Sequence, residues 1–213
     1  MASDSYIIDG VRSAIGLKGN PILGIRSDDL SASIIKSLIL RNESYKDKIE
    51  DVVLGCAFPE GPQGMLIAKG VSILSDLPDT VSAKVVNRFC GSSMDSVHQL
   101  SQAIISGDIS NGIAGGVEDM FSVPMGGFNP SFNPTLYEQD YYMGMGETAE
   151  NLASELDISR DDQEEFAINS HKKALRAISE GKFSNELVTV DFNGVLLDHD
   201  DGPREPDVDK IKS

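Results

Sequence analysis

Short apolar runs alternate with stretches of helical periodicity up to Val117, and this alternation most restricts what the chain can fold into. Val52-Val53-Leu54 and the set Val81, Ala83, Val85 and Val86 read as short buried strands. Between them Ile67, Val71 and Leu74 recur at helical spacing and form an inward face. After Cys90 the period is helical again, with Met94, Val97, Leu100 and Ile104 on one side and Gly107 as the C-cap. An earlier helix is expected from an N-cap at Ser27, with Asp28 and Asp29 in its first turn and Leu30, Ile34 and Leu38 facing inward. Tyr6-Ile7-Ile8 should open the sheet. A further strand should lie within Ile109–Val117, weakened or bulged by Asn111 and Gly112. Strands alternating with helices specify an α/β fold, a mostly parallel sheet with helices on both faces.

From Asp119 the texture changes. Pro124, Gly126, Gly127, Pro130 and Pro134 mark an irregular stretch too long for a simple connection. Two helices are expected after it. Glu147–Leu156 should bury Ala149, Leu152, Ala153 and Leu156, and Asp161–Glu180 should run from the Ser159-x-x-Asp162 capping pair to Gly181. The tail reads as a strand at Leu187–Val190 and an acidic loop through Arg204.

A chain of 213 residues that is 40% hydrophobic can bury a substantial core. Its 34 acidic against 18 basic residues, a net charge of -16, argue against nucleic acid or an anionic membrane as partner. Cys56 and Cys90 stand in neither C-x-x-C nor zinc spacing, which suggests a reducing compartment and no metal. With no basic and apolar leader and no apolar run of spanning length, a cytoplasmic protein without membrane insertion is expected.

Cys90 is the candidate nucleophile. Gly91-Ser92-Ser93 lets the backbone turn sharply from strand into helix, and the positive end of a helix favours negative charge on sulfur. No histidine in the chain is an evident base for it. His98 lies eight residues on, roughly 12 Å of helical rise away. His171 reads as a solvated mid-helix residue, and His199 sits in Asp198-His199-Asp200-Asp201, where a raised pKa is expected. Cys56, ending a strand, reads as structural. The Glu118-Asp119 pair has a turn or capping role as its default.

Asn87-Arg88-Phe89-Cys90-Gly91-Ser92-Ser93-Met94 resembles the nucleophile segment of thiolases, closest to the degradative 3-ketoacyl-CoA thiolases. Gly55-Cys56-Ala57-Phe58-Pro59-Glu60-Gly61 and Gln63-Gly64-Met65 upstream extend the resemblance. Downstream it continues through Gly115-Gly116-Val117-Glu118-Asp119-Met120, Met145-Gly146-Glu147-Thr148-Ala149-Glu150 and Ile158–Gln163, so that it covers nearly the whole chain. It implies a thiolase-like N-terminal half: a five-stranded mixed, mostly parallel sheet with helices on both faces, plus a partial loop domain. Residues 1–119 would be the core domain and 120–213 the substrate-covering loop domain, truncated at its end and leaving the half without its last strand.

The same resemblance implies thiolytic cleavage of 3-ketoacyl-CoA to acetyl-CoA and a shortened acyl-CoA through an acyl-Cys90 intermediate, as in β-oxidation. The Cys90 backbone N–H would serve as an oxyanion donor. Met145 would line the acyl pocket and Arg204, after Asp201-Gly202-Pro203, would meet the CoA nucleotide. CoA enters as a substrate, not a cofactor, and its anionic charge is in tension with the acidic composition. Gly144 stands where the biosynthetic branch often has histidine. The Gly-His-Pro and Cys-x-Gly segments of the family's later half are absent from these residues. The expectation is therefore an N-terminal portion, inactive alone, that needs a separate or continuing C-terminal half and associates as a homo-oligomer. The alternatives are a catalytically silent interaction subunit, half of a biosynthetic acetoacetyl-CoA thiolase, and a thiol redox protein pairing Cys90 with Cys56.

Overall fold

The computed structural model describes residues 4–212. Met1–Ser3 and Ser213, on which the readings of the leader and of the chain's end partly fall, lie outside the described residues. The chain forms two compact units, Met1–Phe128 with Asn185–Asp201, and Asn129–Ser184 with Gly202–Ser213.

In the first unit, α1 (Ser27–Arg41) leads to β1 (Asp51–Gly55), α2 (Ile67–Leu74) to β2 (Ser82–Val86), and α3 (Ser92–Ser106) to β3 (Gly112–Gly116). The three strands are parallel in the order β2-β1-β3, with Asp51–Gly55 in register with both neighbours. The central strand alternates its side chains between two apolar layers. Val52 and Leu54, with Ile113, pack on Ala32, Ile35 and Ile39 of α1 and on Ile67, Ala68 and Val71 of α2. On the opposite face Val53 and Val86 meet Leu100 of α3. Helices thus cover both faces of a parallel sheet. Val52, Val53 and Val71 are fully buried, and each contributes about 1.5–3 kcal/mol of transfer free energy.

Several expectations are corrected. Tyr6-Ile7-Ile8 forms no strand and is exposed, so the sheet has three strands among the described residues, not five. A strand exists only where a neighbouring edge accepts its hydrogen bonds, and the described pairing of β3 is to β1 alone. β3 itself is regular, without the expected bulge. Its Gly112 is a place of close approach, because a Cβ there would stand 2.8 Å from Leu100 Cδ2 and 3.0 Å from the Asp51 carbonyl oxygen. The inward face of α1 is offset to Ala32, Ile35 and Ile39, while Leu30 and Ile34 pack on a second cluster. Leu74, Met94 and Val97, expected inward, are exposed.

The second unit contains α4 (Pro134–Glu138), α5 (Met145–Glu155) and α6 (Arg160–Ser179). At the start of α6, Ser159 Oγ accepts from Asp162 N at 3.1 Å and the Asp162 carboxylate accepts from Ser159 N at 3.3 Å. The helix is followed by Gly181 at φ +65°. α5 buries none of its residues: Leu152 and Leu156 are both exposed, against expectation.

Back in the first unit, the expected strand at Leu187–Val190 is realised as a single parallel bridge from Leu187 to Arg12, followed by β4 (Val190–Phe192) and β5 (Val195–Leu197). These two form an antiparallel hairpin whose Val190 and Leu197 join Ala14 and Ile22 in a small core. α7 (Val208–Lys212) packs on α6 in the second unit. No helix among the described residues is long and apolar enough to cross a membrane.

Candidate active site

Two glycines make the site possible. A Cβ on Gly55, the last residue of β1, would stand 2.5 Å from the Ser93 backbone nitrogen, and one on Gly116, the last of β3, would collide with the Ser93 hydroxyl. The carboxyl ends of two adjacent strands thus receive the first turn of α3 directly, and small side chains line the contact. Ser92 and Ser96 are buried there, with Ser96 Oγ 2.9 Å from the Gly115 carbonyl oxygen.

Cys90 lies in the turn from β2 to this helix and is exposed. Ser92 closes the turn: its hydroxyl accepts from Arg88 N at 2.8 Å and donates to Phe89 O at 2.6 Å. Gly91 N and Ser92 N donate at 3.0 Å each to Arg88 O and Phe89 O. Phe89, immediately before the cysteine, is held at φ 46°, in the left-handed region that non-glycine residues seldom occupy. Gly91 stands at the N-cap without a side-chain cap, so the first-turn amides of α3 have no helical carbonyl to donate to. Arg88 Nη2 lies 3.5 Å from the Asp95 carboxylate.

The loop after β1 borders this turn. Asn87 Nδ2 donates to Ala57 O at 2.8 Å, and Cys56 N donates to Val86 O at 3.0 Å. Behind them Gln63, completely buried, donates to Phe58 O at 3.1 Å and to Glu118 Oε1 at 3.0 Å. The other Glu118 oxygen accepts from Ala57 N at 2.6 Å. Asp119 caps Phe121 N and Ser122 N, at 2.9 and 3.1 Å. Glu118 and Asp119 are therefore tied into turns. Cys56 is buried, and burial together with the nearby Glu118 charge pushes its thiol up to about 11.

Met145 and Arg204 belong to the second unit. Met145 opens α5 and is exposed. Arg204 donates from its backbone to His171 Nδ1 at 3.4 Å and from Nη1 to Gly202 O at 3.3 Å. Among the described residues no carboxylate is ion-paired to it. A recess of about 410 Å³ in that unit is lined by Tyr137, Asp140, Tyr142, Met143, Glu147 and Asn151. In the first unit another of about 360 Å³ follows the edge of β3, between Tyr6-Ile7-Ile8 and Val97 and Ile104. Cys90 lines neither.

The family model described as "Thiolase, N-terminal domain" matches residues 5–212. The chain belongs to the thiolase family. It is 38% identical over 205 residues to a protein named 3-ketoacyl-CoA thiolase of Bacillus subtilis (strain 168), covering 95% of this chain and 52% of that relative. A protein of the same name from Photobacterium profundum is 40% identical over 202 residues, 91% of this chain and 52% of the relative. The thiolase chain spans about half the length of the curated relatives it matches.

Among the described residues of this thiolase chain, none of the three histidines is bonded to Cys90. His98 is exposed on α3 and shares a 3.1 Å hydrogen bond with Gln102. His171 meets the Arg204 amide, and the His199 pKa is raised, first by its hydrogen bond to Asp198. Sequence reasoning passed over Asn87 and Gln63. Asparagine two residues ahead of a left-handed residue is a readable turn signal, since its side chain can accept from that backbone amide. A buried glutamine carries no such mark until its partners are known.

Proposed function

We propose that this chain is the nucleophile-bearing N-terminal part of an acetyl-CoA acyltransferase that thiolytically cleaves 3-ketoacyl-CoA. The observation that carries the reading is the exposed Cys90 at the start of α3, seated on strand ends that Gly55 and Gly116 keep open. The Cys90 thiolate attacks the 3-keto carbon, and its backbone N–H faces the developing oxyanion, a type of donor worth about 3 kcal/mol. As the tetrahedral adduct collapses, the bond between carbons 2 and 3 breaks. Its electron pair stays on carbon 2, which takes a proton and leaves as acetyl-CoA. The shortened acyl group remains on sulfur until a CoA thiolate attacks the thioester carbonyl, expels Cys90 and departs as acyl-CoA.

Proton transfer in both halves of the cycle needs groups beyond these residues, so activity requires the part of a thiolase that the relatives carry in their other half. In this reading residues 1–119 are the catalytic core and 120–213 a loop domain covering substrate. Met145 touches the acyl chain, and the Arg204 guanidinium, which has no carboxylate partner among the described residues, meets CoA phosphate or adenine. The cytoplasm and the β-oxidation of fatty acids suit this chemistry. Exposed Met65, Met94, Phe89 and Tyr6-Ile7-Ile8 favour association with a second half and with further copies.

The test is co-expression of this chain with the remaining half of the Bacillus subtilis relative. Thiolysis of a 3-ketoacyl-CoA, with acyl adduct on the Cys90 peptide by mass spectrometry, is the expected result, lost in Cys90→Ser. An assembled complex that acylates no cysteine would sink the proposal.

A further inference from the structure

A continuous line of hydrogen bonds runs from the interior of the first unit to the residue before Cys90. Glu118, held by the buried Gln63, accepts from Ala57 N at 2.6 Å. The carbonyl of the same Ala57 accepts from Asn87 Nδ2 at 2.8 Å, and Asn87 Oδ1 accepts from Phe89 N at 2.9 Å. The amide orientation of Asn87 is fixed by chemistry, because a carbonyl can only accept and a backbone N–H can only donate. Asn87 therefore uses both ends of its side chain, one on the β1 loop and one on the turn that carries the cysteine.

That second bond falls on the residue that needs help. Phe89 occupies φ 46°, a conformation that costs an ordinary L-residue roughly 1–2 kcal/mol. Phe89 is 59% exposed and its ring lies 6.0 Å from that of Phe58, centroid to centroid, so packing gives the residue little hold. The Ser92 hydroxyl and amide hold the Phe89 carbonyl, and Asn87 holds its N–H; without that acceptor one side of the kink is released, and the next residue loses its fixed direction. Cys90 is that residue.

We propose that Asn87 is a positioning residue for Cys90: by bridging Ala57 O and Phe89 N it holds the left-handed kink that presents the sulfur at the start of α3. Gln63, Glu118 and Ala57 are its anchor. The inference rests on the reading of Cys90 as nucleophile, but its test does not share that reading's outcome.

The probe is iodoacetamide, applied to the 213-residue chain, with Cys90 carbamidomethylation followed by peptide mass spectrometry across a pH series. Asn87→Ala removes both bonds. Asn87→Ser keeps a neutral acceptor near Phe89 N but cannot reach Ala57 O. Expected is a Cys90 rate about fivefold lower in Asn87→Ala, the scale of one net hydrogen bond, with partial recovery in Asn87→Ser. Far-UV circular dichroism and the protection of Cys56 should not change. A folded Asn87→Ala whose rate across the pH series superimposes on the parent's overturns the proposal. So does loss of the fold in both variants, since Asn87 would then belong to the fold and not to the cysteine. If the parent's Cys90 reacts no faster than glutathione, the nucleophile reading fails, while the ratio of variant to parent still reports on Asn87.

Discussion

Gly55 at the end of β1 lies directly against the backbone of Ser93 in the first turn of α3, so close that a Cβ would stand 2.5 Å from the Ser93 nitrogen and 2.6 Å from the Ser92 carbonyl oxygen. The obstructing atoms are backbone and cannot rotate away. Gly55→Ala must push α3 off the sheet, and overpacking of this kind costs about 1–3 kcal/mol. A fall in the urea midpoint at unchanged slope measures it. Because the displaced helix start carries the turn to Cys90, the alkylation rate of Cys90 should change as well. An alanine variant as stable as the parent would show that the contact gives way freely.

The two cysteines should part company in a labelling experiment. Cys90 is exposed, whereas Cys56 is buried with its thiol pushed up to about 11 by desolvation and the Glu118 charge. Iodoacetamide near neutral pH should modify Cys90 rapidly and leave Cys56 untouched until the fold opens; equal rates would contradict this. The linkage has a sign. The folded value lies above the ordinary 9.0, so this contribution to stability is complete below that ordinary value and is lost as pH rises through about 11. Cys56→Ala should flatten that part of the alkaline stability profile.

How much of this was readable from the residues depended on whether the partner surface lay in the same stretch. Val52–Leu54 revealed itself as a strand because burial on both faces demands unbroken apolar side chains, and Val81, Ala83, Val85 and Val86 because an outer strand interleaves them with the exposed Ser82 and Lys84. Cys90 at a strand–helix junction followed from the change of period. The inward face of α3 followed in part. Periodicity marked Leu100, which is buried, but also Met94 and Val97, which are exposed; at the start of the helix the sheet receives Ser92 and Ser96, because the glycine strand ends come too close for larger side chains. Tyr6-Ile7-Ile8 has strand composition without a described strand pairing, and Met145 and Leu152 of α5 are likewise exposed. Pattern locates apolar side chains but not the surface they meet.

Arg12 joins the N-terminal segment to the returning tail. Its Nη1 and Nη2 donate to the two Asp200 oxygens at 2.7 and 2.9 Å, and its Nε donates to Glu186 at 2.6 Å. This fork holds the Asp200 carboxyl below its ordinary range, against the opposing effect of burial. A depressed carboxylate contributes stability above its unfolded pKa, and that contribution is lost as pH falls through the folded value. Arg12→Lys keeps the charge but loses the bidentate geometry. Allowing for solvent screening, the loss should be about 1 kcal/mol near neutral pH, or roughly 2–4 °C in Tm. The gap between variant and parent should close in acid, below the ordinary carboxylate range. A gap independent of pH would mean that the arginine acts by packing alone.

The β4–β5 hairpin offers a glycine of the opposite kind to Gly55. Phe192 pairs with Val195, leaving Asn193-Gly194 as a two-residue loop with φ of 53° and 81°. Both positive angles are those of a type I′ turn, whose twist matches that of the flanking strands. Nothing lies within 4 Å of a Cβ added at Gly194, so space plays no part there and only the backbone angle resists substitution. Gly194→Ala should cost about 1 kcal/mol from the left-handed angle alone, and Asn193→Gly should be close to neutral. Thermal melts of the two variants read the difference. Since Val190 and Leu197 form the small core with Ala14 and Ile22, the loss in Gly194→Ala should appear as faster amide exchange in β4 and β5, with β1 unchanged. Equal protection throughout both strands would mean that the turn follows the hairpin's packing and does not help to set it.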